Sequence, residues 1–117
     1  MGLYNARLSK PFSVGRSNAV TNSAASIKTT AADLYGWYIA NTGAATNYVK
    51  IYGKDAAAST DTPLFTIPVP AGAATNIIWP SSVTCTTGLS VRSTTDYPDN
   101  SVLGSTSGEI TVNIIYV

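Results

Sequence analysis

The chain contains no histidine and one cysteine, Cys85. A disulfide framework is thereby excluded, and a Cys/His metal site loses its ligand set. Nucleophilic catalysis loses its usual base as well, because a thiol needs a neighbouring group to activate it. Lying in a run of strand-like residues, Cys85 reads as a small buried apolar side chain. Charge is scarce too: Asp, Glu, Lys and Arg together make up 11% of the 117 residues, against about a quarter in an ordinary domain. No apolar run approaches the length that crosses a bilayer. The opening MGLYNARLSK lacks the apolar stretch of a signal peptide, and Ala6 stands where a myristoylation signal needs Ser or Thr. The reading is a protein made in a cytoplasm, with no membrane partner.

What is present is Thr, Ser and Ala. Sixteen Thr and thirteen Ser favour strands and loops over helices. Fifteen Ala inflate the 44% apolar content, so the core is expected to be thin. The length suits one domain.

From residue 34 on, β-rich runs alternate with turn-rich breaks. LYGWYIA (34–40), YVKIY (48–52), PLFTIPV (63–69), TNIIW (75–79), SVTCT (82–86), GLSVRST (88–94) and EITVNIIYV (109–117) give about seven strands. Pro63 and Pro68 push the third run toward a sheet edge or a bulge. No segment repeats with a helical period. The fold class predicted is all-β, an antiparallel, jelly-roll-like β-sandwich over residues 33–117. The last strand is expected inside a sheet.

Net charge of +1 hides an asymmetry. Residues 1–32 hold Arg7, Lys10, Arg16 and Lys28 and no acid, whereas 33–117 hold three cations against six acids. Residues 1–32 are therefore read as an extended basic arm. Two readings stay open for it: a frayed, solvated terminus, or an arm lying on an acidic partner surface through those four cations.

The pentapeptide GAATN occurs twice, at 43–47 and 72–76, each time before an apolar run. Gly permits the backbone angles of a corner, and Ala lets a loop lie flat. Both copies read as hairpin links of similar length. An anion-binding loop is the rival, but the P-loop lysine is missing and strands follow instead of helices. In TTDYPDNS (94–101), Asp96, Asp99 and Asn100 read as a turn around Pro98, with a shared calcium ion as the rival. Trp37 and Trp79 are assigned to the core. Tyr48 and Tyr52 share a strand face with Lys50, opposite Val49 and Ile51, and are assigned to an interface. The acidic balance of 33–117 argues against nucleic acid.

LYGWYIANTGAATNYVKIYGKDA (34–56), IPVPAGAATNIIWP (67–80), TTGLSVRST (86–94) and the ending EITVNIIYV resemble small virion proteins of tailed phages, over about residues 33–117. The resemblance implies a β-sandwich serving as a capsid decoration (cement) protein or head-fibre module. It supplies no catalytic residues. The expectation is a non-enzymatic virion structural protein on the capsid surface, assembled in the host cytoplasm. Its partner would be the major capsid protein, and it would form a homo-oligomer, a trimer by preference. No cofactor, metal or small-molecule substrate is expected. Two other classes stay open: a carbohydrate- or receptor-binding module of a fibre, and a hydrolase built on a close carboxylate pair.

Overall fold

In the computed structural model, which describes residues 11–117, eight strands form: β1 (Ser13–Ser17), β2 (Ala25–Lys28), β3 (Ala32–Asn41), β4 (Asn47–Tyr52), β5 (Phe65–Val69), β6 (Ala74–Cys85), β7 (Leu89–Thr94) and β8 (Ile110–Tyr116). Alternation of buried and less buried residues is clearest in β3 and β8. No helix occurs among the described residues. Sheet I has the order β1-β8-β3-β6 and sheet II the order β2-β7-β4-β5. All the strand pairings are antiparallel.

The pairing is nested: β4 with β5, β3 with β6, β2 with β7, β1 with β8. A ribbon of such nested pairs, wound so that successive pairs fall in alternate sheets, is a jelly roll. The expected sandwich is thus present. Its C-terminal strand β8 lies between β1 and β3, and Val117 exchanges two backbone hydrogen bonds with Asp33, both 2.9 Å.

The inner faces follow from the same alternation. Leu34, Trp37 and Ile39 of β3 and Ile110, Val112 and Ile114 of β8 meet Val49 and Ile51 of β4 and Leu89 and Val91 of β7. Where Leu and Phe are few, aromatic rings fill the gap. Trp37 sits edge-on to Trp79 at 5.2 Å and against Phe65 at 5.3 Å, placing both tryptophans in the core as expected. Cys85 is buried and unpaired.

Three expectations are corrected. The sandwich does not begin at residue 33: β1 pairs with β8 and β2 with β7, so the described part of the supposed arm supplies one strand to each sheet. The runs at 75–79 and 82–86 are one twelve-residue strand, β6. Its register slips opposite Tyr35, where Trp79 to Ser82 bulge out, and Pro80 is tolerated because β6 is an edge strand. Pro68 likewise lies on an edge strand, β5.

The GAATN copies are not hairpin links. β3 and β4 lie in different sheets, as do β5 and β6, so each copy carries the chain from one sheet to the other. The two crossings are stacked at the same end, and buried Asn41 joins them. Its amide donates to Ala45 O at 2.8 Å and Val69 O at 2.9 Å. Its side-chain oxygen accepts from Gly43 N–H, and its backbone N–H reaches Ala73 O.

Candidate functional site

A four-stranded sheet packed on one side presents its other side to whatever surrounds it. In an antiparallel sheet, residues directly opposite one another share a face. On the outer face of sheet I, Val14, Ile115, Gly36 and Ile78 therefore form one cross-strand row. Arg16, Asn113, Tyr38 and Asn76 form the next. Val14 on edge strand β1, Ile78 on edge strand β6 and Tyr38 on central β3 are 61%, 57% and 50% exposed, large values for apolar side chains within a sheet. Phe12, also exposed, lies 4.9 Å from the Tyr35 ring and extends the patch toward the N-terminus. In the two rows Arg16 is the single charged side chain. Gly36 lowers the centre of the face: a Cβ there would meet Ile77 O at 2.1 Å. The result is an apolar, nearly uncharged face edged by Arg16, Asn76 and Asn113.

The outer face of sheet II is built differently. Lys50, Tyr52, Ser90, Arg92 and Thr94 point outward there, yet all are buried, because the loops 18–24, 53–64 and 95–105 fold over them. Arg92 ties the loops down. Its Nε donates to Asn22 O at 2.7 Å, one Nη to Tyr52 Oη at 2.8 Å and the other to Ser101 O at 2.7 Å. Lys50, directly opposite Arg92 across β4 and β7, donates to Pro98 O. Burial and the neighbouring guanidinium pull the Lys50 ammonium below its ordinary value, with Asp96 and Asp99 opposing.

The site residues expected from sequence do not gather in one place. Tyr52 is 1% exposed and serves as an acceptor for Arg92, so its assignment to an interface is corrected. Tyr48 is half-buried, edge-on to Tyr97 at 5.8 Å, on the sheet II side. Arg7 and Lys10 lie outside the described residues. Arg16 is exposed on the sheet I face. Lys28 is half-buried in sheet II, with its Nζ 5.8 Å from the Tyr116 ring centre, so the cations do not act as one free arm. Tyr38, Ile78, Val14 and Phe12 were not singled out in the sequence. A strand such as GWYIA carries an aromatic on each face, and only the sheet order tells which one is covered.

The other candidates resolve into structure. Asp96 accepts from the Ser101 hydroxyl, and Ser101 N–H closes a turn on Pro98 O at 3.0 Å, which is the plain turn expected. No group of three or more Cys, Asp and Glu side chains fit to hold a metal ion occurs among the described residues. Burial, aided by the Asp33 charge, pushes the Cys85 thiol above its ordinary value, which keeps it protonated and poorly nucleophilic. No protein-family model matches the chain, and neither the curated proteins nor the solved structures contain a match.

Proposed function

We propose that this chain is a non-enzymatic structural protein of a virus particle, a capsid decoration protein. It seats on the outside of the head and stabilises junctions between subunits of the major capsid protein. The observation that carries the reading is the outer face of sheet I. Apolar side chains exposed on three of the four strands, with Ile115 half-buried on the fourth and one charge among eight row positions, suit a surface that is covered in use. Burying such a face contributes about 25 cal/mol per Å² of apolar surface before the costs of association. Arg16, at the rim, adds attraction to an acidic partner surface and steers the encounter. Copies arranged around a capsid symmetry axis, three by preference, multiply weak contacts into tight binding.

The test mixes purified protein with undecorated heads of the virus whose genome carries the chain and images the particles. Occupied density is expected for the native chain. It is expected to vanish for Tyr38→Glu/Ile78→Lys, a variant that alters only exposed side chains and keeps the core. Binding to an array of glycans, with none to heads, would instead favour a carbohydrate-binding module using Tyr38 as its stacking platform.

A further inference from the structure

On the outer side of sheet II lies a cavity of about 410 Å³, between the loop at Asn22–Ala24 and the loop at 56–59, with Val102 at its side and Arg92 on its floor. Its walls are short: Ala24, Ala56, Ala57 and Ala58 leave room, and Ser23 and Ser59 supply hydroxyls. Ala56 is held at φ 49°, a conformation that costs a residue with a Cβ about 1 kcal/mol or more.

The electrostatics of the floor are unbalanced. A guanidinium has five N–H donors. Arg92 spends three, all on uncharged acceptors, which leaves two. Lys50 is directly opposite, equally buried, and bonded to a carbonyl. Among the described residues the one ion pair is Lys54 with Asp61. No carboxylate therefore lies within 4 Å of either buried cation. Of the acids around these loops, Asp96 takes the Ser101 hydroxyl, Asp55 the Ser26 hydroxyl, and Asp61 takes Lys54 and the Ala58 N–H, while Asp99 acts on Lys50 from a distance. Asp96 and Asp99 act on Lys50 only from beyond ion-pair distance, and two adjacent buried cations with no carboxylate in contact are costly, a cost that an opposite charge at van der Waals range relieves.

We infer that this cavity binds a small oxyanion, a carboxylate, sulfate or phosphate group, on the free N–H groups of Arg92. The ligand class follows from the donors: the two remaining N–H groups, one on each Nη, are charged, and charged N–H donors pair best with anionic oxygens. The inference stands apart from the capsid reading, because the cavity and the apolar face are on opposite sides of the sandwich.

The test follows thermal unfolding and calorimetric titration with sodium sulfate, phosphate, acetate and glucuronate, each against sodium chloride at equal ionic strength. At least one oxyanion is expected to raise the melting temperature and to saturate. Ala58→Glu, an exposed change at the cavity mouth that leaves Arg92 in place, is expected to weaken the apparent affinity by at least about tenfold through like-charge repulsion. Arg92→Gln should abolish the effect. Because that variant removes three hydrogen bonds and can fail to fold, Ala58→Glu decides. A response to acetate or glucuronate identifies a carboxylate ligand, and a response to tetrahedral anions alone identifies sulfate or phosphate. No saturable shift with any of the four, or an equal shift in the native chain and Ala58→Glu, overturns the inference.

Discussion

Tyr52 illustrates how much rests on one oxygen. Its ring continues the outward row of β4, and its hydroxyl accepts from Arg92 in a buried setting. Tyr52→Phe keeps the ring and orphans a guanidinium N–H, so unfolding free energy should drop by about 1–3 kcal/mol in a urea titration with unchanged slope. The alternation of YVKIY was legible in the sequence, including which residues share a face with Lys50. What covers that face was not, because the covering loops come from positions 18–24 and 95–105, far along the chain. The same row predicts a pH signature. The fold holds Lys50 below its ordinary 10.5, so it disfavours the charged amine. As pH climbs from the folded value toward 10.5, the native state loses this proton before the unfolded chain does, and stability rises. Cys85 is held above its ordinary 9.0, so the unfolded thiol ionises first and stability falls as pH passes 9.0. The two oppose each other. In Cys85→Ala, stability should rise toward alkaline pH; in Lys50→Met that rise should be absent and only the thiol's fall remain. Denaturant titrations along a pH series read both slopes.

At the scale of the element, GAATN is one spelling with two conformations. In the first copy Gly43 packs against Glu109, where a Cβ would sit 2.5 Å from a carboxylate oxygen, and Asn47 is buried as β4 begins. In the second, Gly72 takes φ +69 in open space, and Ala74, Thr75 and Asn76 already belong to β6. Asn47 bonds Asn41 Oδ1 and accepts from Ser105 at 2.5 Å, whereas Asn76 is exposed on the sheet I face. Asn47→Ala should therefore cost about 2–3 kcal/mol, and Asn76→Ala should stay within about 0.5 kcal/mol, by chemical denaturation. Equal costs would mean that the repeat is a repeat in structure too. That both copies are corners was legible from Gly and Ala. That they cross between sheets was not, since the pentapeptide does not record which strand the next one pairs with. β1 and β2 escaped notice for a local reason. SVGRS turns Ser13, Gly15 and Ser17 inward, and Gly15 is pressed against Ile27, where a Cβ would lie 2.5 Å from Cγ2. ASIK offers one large apolar residue. Neither segment carries the alternation that marks β8.

For the whole molecule, nested pairing makes the first strand close the last. β1 covers the edge of β8 across all five of its positions, Ser13 with Tyr116 through Ser17 with Val112, almost a full chain length apart. Contacts of that separation are slow to form and are lost together. Truncation from the N-terminus should thus divide sharply at β1. Removing residues 1–10 deletes Arg7 and Lys10 but none of the eight strands, and a single cooperative thermal transition is expected to survive. Removing residues 1–18 strips β1 from sheet I and uncovers Ile27 and the backbone edge of β8, an apolar strand of seven residues. An uncovered edge of that kind pairs with its own copies. The shorter chain should melt at lower temperature and scatter light on standing, while the 11–117 chain stays clear. Clear, cooperatively melting solutions of both would mean that β1 is an ornament on a seven-stranded sandwich, and that the outermost nested pair does not contribute to its stability.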